Sequence, residues 1–434
     1  MSENVDLSEF ALFDPAIQQC PHAYYAAMRE EAPVFGAAVP GGTLHLVTRY
    51  DDVTDIVRDV DTFSNRFDTA GANFHPELAA RMKELYEAEG GYDKIGTMLT
   101  VDPPDHTRFR RLVTKAFTPK VIADLEPTIR EITRGLVADV LAEMEAHGRV
   151  EFVETFAVPL PVTVIAKALN VPDDRLADFK RWSDASIAGI GTNISIEERL
   201  EAEREVIQFQ KYFAEQLELR RKNPQDDILT NLLNARIDAD EVDDNGQAID
   251  DRPLTMPEML SIIQQLLVAG NETTTKALTE MMRLLGENPH EWDRLREDPS
   301  RAKAVFEETL RLSTPTQGMF RVVKADTEVA GTSLCPGDRA VVMYAAANRD
   351  PNVFDDPETF SPDRDNLTSH LAFGKGVHFC LGAALSRLEG KVAAEELARG
   401  LASFRLCDSN EFRYLPSFML RGLISLDIEV EAAS

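Results

Sequence analysis

The sequence predicts a mainly α-helical protein with a smaller β-rich lobe. Helical periodicity dominates residues 121–285, with amphipathic stretches at 126–145 and 199–222. Thr255 and Glu258 have the spacing of a capping box, which predicts a helix of about 30 residues ending near Pro289. Between residues 320 and 344 the pattern alternates or runs apolar, as strands do.

Composition bounds the class of protein. The 434 residues are 44% hydrophobic, enough for a large core, and the formal net charge is −28. That charge argues against nucleic acid or an anionic membrane as a partner. The cysteines are scattered without metal-ligand spacing, which predicts a reducing compartment and no disulfide framework. With an acidic, polar start and no apolar run of about 18 residues, we expect a cytoplasmic monomer.

The first hundred residues mix element types. Residues 43–48 alternate as a strand does, and a helix is predicted to start at Asp51. Glycine, asparagine and proline interrupt residues 68–97, where only 76–89 reads as helical. A long irregular connection of this kind is often a lid or a binding loop.

A charged helix is predicted after Pro103 and Pro104, running toward Phe117. His106 and Arg110 are four residues apart and share a face. Three further basic residues fall on the other side of the helix: Arg108, Arg111 and Lys115. One face could therefore bind an anion while the other stays basic and exposed; the alternative is a charged helix that is solvated all round.

The long helix carries Ala269-Gly270-Asn271-Glu272-Thr273-Thr274 at its middle. Small residues at 269 and 270 would let a flat group approach the backbone. Glu272 places an acid beside the Thr273 hydroxyl, which suits inward proton transfer. The alternative is a close helix crossing with a surface glutamate.

Further along, Glu308 and Arg311 form an i,i+3 pair, which could be only a helix salt bridge. Residues 335–338, Cys-Pro-Gly-Asp, have the signature of a type II turn. Residues 411–430 are predicted to form a final hairpin with its tip at 417–420.

Residues 373–382, Phe-Gly-Lys-Gly-Val-His-Phe-Cys-Leu-Gly, deliver Cys380 to the predicted start of a helix. Unpaired backbone N–H groups and the positive end of the helix dipole would favour the thiolate there. A thiolate in that setting can ligate haem iron. The alternative is an inert buried cysteine beside a helix cap.

This stretch resembles the haem-binding loop of the cytochrome P-450 family in its soluble bacterial form. All six fixed positions are met: Phe373, Gly374, Gly376, His378, Cys380 and Gly382. Residues 269–274 resemble the family's motif above the oxygen-binding face of haem, and the signatures occur in the family's order. The resemblance implies one domain over residues 1–434, with 1–20 as an N-terminal extension.

The resemblance also implies a role for each site residue. The cofactor would be haem b with an axial thiolate from Cys380. Proton delivery would fall to Glu272 and Thr273. The propionates would be held by His106, Arg110, Arg321 and His378. The haem loop would be supported by Glu308, Arg311, Arg364 and Phe373. The implied reaction inserts one oxygen atom of O2 into a C–H bond; a peroxide-using enzyme and a non-catalytic haem sensor or carrier remain as alternatives.

Electrons would come from a separate ferredoxin and its reductase, since the sequence shows no flavin, Rossmann or ferredoxin domain. The expected docking face is basic: Arg108, Arg111, Lys115, Lys375, Arg387 and Lys391.

The substrate pocket is expected from Gln265, Val268, Ala269, Gln317, Met319, Phe418 and Met419, under a lid from residues 68–100 and 189–193. These mostly apolar residues imply a terpenoid, steroid or fatty-acid-like substrate. Gln265 and Gln317 could grip its one polar group, or could instead bond backbone or water.

Overall fold

The computed structural model describes residues 5–67, 76–115, 118–190, 192, 194–236, 241–242 and 246–433. Within them the helices are α1 Pro15–Gln19, α2 His22–Glu31, α3 Tyr50–Arg58, α4 Pro76–Glu89, α5 Asp105–Thr114, α6 Pro119–Asp124, α7 Glu126–His147, α8 Pro159–Ala168, α9 Leu176–Ile187, α10 Ile196–Lys222, α11 Ile228–Asn234, α12 Met256–Glu287, α13 Pro289–Glu297, α14 Ala302–Ser313, α15 Tyr344–Ala347 and α16 Ala383–Gly400. The predicted helical class is confirmed.

The strands form three separate sheets. They are β1 Val34–Val39, β2 Gly42–Val47, β3 Phe63–Ser64, β4 Val150–Glu151, β5 Met319–Val323, β6 Thr327–Val329, β7 Thr332–Leu334, β8 Arg339–Val342, β9 Leu401–Leu406 and β10 Asp427–Ala432. The main sheet has the order β1-β2-β8-β5-β3, a second sheet has β4-β10-β9, and β6 pairs with β7. Only β2 and β8 run parallel in the main sheet.

Helix α12 is the axis of the helical part. Its capping box is present at Thr255 and Glu258, and its 32 residues correspond to about 48 Å at 1.5 Å per residue. The core cluster around its second half joins α12 to α7, α14 and α16, through residues such as Ala277, Val305 and Val392. Because α12 is buried on most sides, its buried polar side chains must find partners inside the protein.

One predicted feature differs in the structure. Residues 411–430 do not form a regular hairpin: Tyr414 and Leu423 make an isolated bridge, and β10 pairs with β9 instead. In the N-terminal segment, Leu12 is buried in a cluster with Phe418 and Met419, so this segment packs against the C-terminal segment.

The predicted type II turn is confirmed, with Gly337 at φ +96° and an Asp338 N–H bond to the Cys335 carbonyl of 3.0 Å. The predicted lid falls partly outside the described residues, at 68–75, 191 and 193. No helix among the described ranges is long and apolar enough to cross a membrane.

Candidate active site

The loop 373–382 folds as a tight turn that presents Cys380 just before α16. The Cys380 N–H donates to the Phe373 carbonyl at 2.9 Å. Gly374 and Gly376 have φ values of +66° and +71°, which favour glycine. A methyl group at Gly376 would also lie 2.6 Å from the Val57 carbonyl oxygen. The glycine spacing is therefore required by both backbone conformation and packing.

The environment of the Cys380 thiol corrects one expectation. Burial raises the pKa of the Cys380 thiol, although the Gly382 and Ala383 backbone, Arg110 and Arg387 oppose that rise. The helix start by itself therefore does not favour the thiolate, because desolvation is the larger effect. A bound metal ion would reverse the balance, since coordination deprotonates a thiol.

Four basic side chains converge beside this loop, as predicted. The rings of His106 (α5) and His378 lie 4.3 Å apart between centroids. Burial, then repulsion from His106, Arg321 and Arg110, lowers the pKa of His378 to about 2. Among the described residues, the buried His378 Nε2 has no hydrogen-bond partner. Carboxylates such as the haem propionates fit the chemistry of such a cluster.

Arg110 links this cluster to the sulfur. Burial lowers the pKa of Arg110, while its attraction to Cys380 opposes that shift. The cations and the thiol therefore lie close enough to belong to one site. Arg321 is 2% exposed and is held from behind by Tyr344, whose hydroxyl bonds it. Sequence reasoning missed Tyr344, because it lies at the start of the short helix α15.

On α12, the Thr273 hydroxyl donates to the Ala269 carbonyl at 2.9 Å. Ala269 is exposed and Thr273 half-buried, although neighbouring turns of the helix are buried. The surface at Ala269 and Thr273 is therefore open, and a flat group could lie against the helix there. Gly270 does not contribute, contrary to expectation: it faces Ile165 of α8, where a methyl group would meet ordinary contacts of 3.6 Å.

Glu272 is buried and bound in a way that the sequence did not predict. Its Oε2 lies 2.8 Å from Lys276 Nζ. Its Oε1 lies 3.4 Å from Asn271 Nδ2 and 4.0 Å from Lys180 Nζ. The surface-glutamate alternative is therefore wrong, but the acid is held as one half of a buried ion pair.

The loop is supported from behind as predicted. Arg311 makes two bonds of 2.8 Å to Glu308, and Arg364 Nε reaches Glu308 Oε1 at 2.9 Å. Arg311 also donates to the carbonyls of Asn348 and Pro357 at 2.9 and 2.8 Å. The pair is thus the centre of a buried network that fixes the segment before the loop.

A second network was missed. His370 Nε2 and Arg387 Nε lie 2.9 and 2.6 Å from the Glu307 carboxylate. Burial tends to raise the pKa of Glu307, but these partners outweigh it and the pKa falls to about 2. Arg387 also stacks on Phe373, with its Cζ 4.4 Å from the ring centroid. The sequence signal that could have indicated this second network is the acidic residue Glu307 directly before Glu308.

The predicted basic docking face is wrong at Arg108. That side chain is 4% exposed, and it lies against Glu258 and the carbonyls of Asp250 and Arg252. Burial is the main cause of its lowered pKa. The connection before α12 folds over this side of α5, so Arg108 is buried and bonds residues of that connection instead of facing solvent.

The other members of that face are largely engaged. Arg111 bonds Glu241 and the Val242 carbonyl, and Lys115 bonds the Arg236 carbonyl. Arg387 donates to the Glu307 carboxylate, and Lys391 Nζ lies 3.5 Å from the Glu126 carboxylate. Lys375 lies over the Tyr50 ring.

The predicted pocket residues do not all meet. Gln265 donates to Thr97 Oγ1 at 2.6 Å. Gln317 donates to the Ser313 and Thr314 carbonyls. These bonds favour the alternative that the two glutamine side chains bond other protein groups and not the substrate.

Gln317 and Phe418 instead line a small cavity with Leu12, Gln18 and Arg421. Met419 is 3% exposed and packs with Leu12 and Phe418. Val268 and Met319 are half-buried. The C-terminal tip therefore rests on the N-terminal segment.

A half-buried loop cysteine, a cluster of basic side chains beside it and an open threonine face together fit a haem-thiolate site. The cytochrome P-450 family model matches residues 192–411. Cytochrome P-450 107B1 of Saccharopolyspora erythraea is 33% identical over 98% of each chain. A vitamin D(3) 25-hydroxylase of Pseudonocardia autotrophica is 32% identical over 96% of this chain and 95% of its own.

The fold agrees. The structure of a Bacillus megaterium cytochrome P-450 in complex with testosterone matches with a TM-score of 0.77, 32% identity, and coverage of 94% of this chain and 99% of that one. The chain belongs to the cytochrome P-450 family, and it is a haem-thiolate monooxygenase.

Proposed function

We propose that the protein inserts one oxygen atom of O2 into a C–H bond of an apolar small molecule, with electrons from a separate ferredoxin and its reductase. The observation that carries the proposal is the packing of His106 of α5 against His378, two residues before Cys380, with 4.3 Å between the ring centroids. It supports one cofactor site that combines the sulfur with anion-binding side chains.

The cofactor we propose is haem b, held without a covalent bond to its ring. The four cysteines are Cys20, Cys335, Cys380 and Cys407, and none belongs to a Cys-x-x-Cys-His attachment motif. Cys380 would supply the axial thiolate and His106, Arg110, Arg321 and His378 the propionate contacts. When bound, haem supplies the oxygen activation and accepts the electrons.

The chain's own residues contribute proton transfer to the reaction. The Thr273 hydroxyl lies on the open face of α12 and can pass a proton by exchanging its bond to the Ala269 carbonyl. Glu272 is the adjacent acid, and its side chain must leave Lys276 before it can serve Thr273. The carboxylate is thus a gated proton carrier.

For the substrate we propose a terpenoid, steroid or fatty-acid-like molecule. Val268, Ala269 and Met319 present apolar surface that is not fully covered. Relatives whose names give vitamin D(3), testosterone or hexadecenoic acid support this class, while others are named for erythromycin or an aryl phosphate. For the ferredoxin, the support is a partly exposed surface at the haem loop, where Phe379, the residue before Cys380, is 40% exposed.

A peroxide-using enzyme is the second candidate, and the Glu272–Lys276 ion pair favours it, because a restrained acid is less available for protonation after O2 binds. Turnover of a steroid with NADH, ferredoxin and reductase under ¹⁸O2 separates the two. Label in the product supports the proposal. Product formed only with added hydrogen peroxide, and without label, establishes the second candidate.

A further inference from the structure

Lys276 is a charged residue in the core whose role no motif predicts. Its side chain is 8% exposed, and its Nζ lies 2.8 Å from Glu272 Oε2, one helical turn earlier. A buried ammonium of this kind is costly unless it is paired. Its position therefore depends on whatever fixes its four-carbon stem.

The stem is fixed by Gly422. A methyl group at Gly422 would lie 2.2 Å from Lys276 Cγ, 2.8 Å from Cβ and 2.9 Å from Cδ. The lysine stem thus crosses the backbone of Gly422 in direct contact, with no room for any side chain. Gly422 is not among the positive-φ glycines, so its glycine identity is explained by the lysine and not by backbone strain.

Gly422 belongs to the C-terminal segment that carries the expected pocket wall. Its carbonyl accepts from Leu415 N–H at 3.0 Å, and the Arg421 N–H donates to the Pro315 carbonyl at 2.8 Å. Phe418 and Met419 lie a few residues earlier in the same short turn. A displacement of that tip would therefore reach Gly422 through the turn's hydrogen bonds.

We propose that Lys276 is a positioning residue that couples the C-terminal segment to the acid Glu272. While its stem rests on Gly422, its ammonium holds the carboxylate away from Thr273, with Asn271 and Lys180 on the other oxygen. Movement of the segment on substrate binding breaks the contact between Gly422 and the Lys276 stem. The ammonium then shifts, and Glu272 is released toward Thr273. This inference rests on the proposed function, since release has a purpose only if Glu272 carries protons.

The principal test is Gly422→Ala, which keeps both charges and adds one methyl group against the stem. Because the methyl group displaces the stem, Glu272 is released even without substrate, and proton delivery is no longer timed to substrate binding. We expect the product formed per NADH to fall several-fold, with hydrogen peroxide released instead. Lys276→Met, which keeps the stem and removes the charge, should act in the same direction. Gly135→Ala is the matched control, because a methyl group there meets nothing within 4 Å.

A double-mutant cycle identifies the contact. In a Lys276→Ala background the methyl group at position 422 has room, so adding Gly422→Ala should change coupling by less than twofold. Additive effects of the two changes, or wild-type coupling in Gly422→Ala, would overturn the proposal.

A second readout does not depend on turnover. Lys276→Met removes the shorter ion pair of the buried Glu272 and leaves only the 4.0 Å contact with Lys180. The thermal midpoint should therefore fall, and adding Glu272→Gln should restore it. The Lys276–Glu272 coupling measured this way should shrink in a Gly422→Ala background; an unchanged coupling contradicts the proposal. Absence of product from the wild-type enzyme would instead count against the proposed function and leave this thermal test valid.

Discussion

The guanidinium of Arg311 and the carboxylate of Glu308 form a two-point ion pair, with two bonds of 2.8 Å and both side chains 0% exposed. Removing one partner of a buried pair leaves a charge without compensation. This geometry makes the pair a sensitive point for the stability of the loop that carries Cys380.

Arg311→Lys should destabilise the protein by ~3 kcal/mol, because a lysine cannot reproduce both carboxylate bonds and the carbonyl bonds to Asn348 and Pro357. Haem retention after gel filtration and denaturant unfolding measure the effect. Arg296→Lys, at an exposed position of α13, is the matched control. Equal haem retention in both variants would contradict a supporting role.

Cys380→Ala should abolish the red-shifted Soret band of the reduced CO complex, because no other cysteine lies in a glycine loop before a helix. Cys407→Ala, at a half-buried cysteine in the turn after β9, should leave the band intact. Survival of the band in Cys380→Ala would mean that another residue ligates the iron.

Thr273→Ala should keep haem and substrate binding but divert reducing equivalents into hydrogen peroxide, because the exposed hydroxyl is lost from α12. Thr279→Ala is the control: its hydroxyl also bonds the carbonyl one turn back, at 2.9 Å. Six residues further on, it lies about 240° around the helix, on a buried face. Peroxide yield per NADH distinguishes the two, and equal yields would remove Thr273 from proton delivery.

Glu389 should make stability fall as the pH rises from 4.5 to about 8. Burial raises the pKa of Glu389 from 4.5 to about 8, and a bond with Thr274 opposes this only in part. The folded protein keeps this proton where the unfolded chain has lost it. Stability is therefore fully present below pH 4.5 and declines up to about pH 8, by as much as ~5 kcal/mol at 1.36 kcal/mol per unit.

Glu389→Gln should remove that dependence and stabilise the protein at pH 8 more than at pH 5. Unfolding in denaturant at the two pH values measures it. Glu87→Gln, whose wild-type side chain is 68% exposed, should leave the difference between the two pH values unchanged. A wild-type-like decline in Glu389→Gln would assign the pH dependence elsewhere.

Glu203 should control access to the pocket. The buried carboxylate accepts from Tyr86 at 2.7 Å and from Lys94 at 2.8 Å, which ties residues 86–94 to α10. Glu203→Gln should loosen this connection and raise the association rate of an apolar ligand several-fold, as followed by stopped-flow of the haem spin shift. Glu201→Gln, whose wild-type side chain is 69% exposed, serves as the control, and equal rates in both would leave the connection without a gating role.

The sequence determined the local features of the site. The glycine positions, the helix after them and the capping box of α12 are set by bonds within a few residues, so the pattern predicted them correctly. Glu308 and Arg311 were also predictable, because i,i+3 spacing on a helix brings side chains together wherever the helix lies.

Tertiary structure decided which neighbour covers each face. Helical spacing placed Arg108 opposite His106, but only the fold shows that Glu258 and the chain before α12 cover it. The same holds for Lys276, whose two partners are a residue one turn away and a glycine 146 positions later in the chain. Periodicity defines the directions of side chains around a helix axis. Burial, and with it the raised pKa of Cys380 and the contact of Lys276 with Gly422, comes from elements distant in sequence.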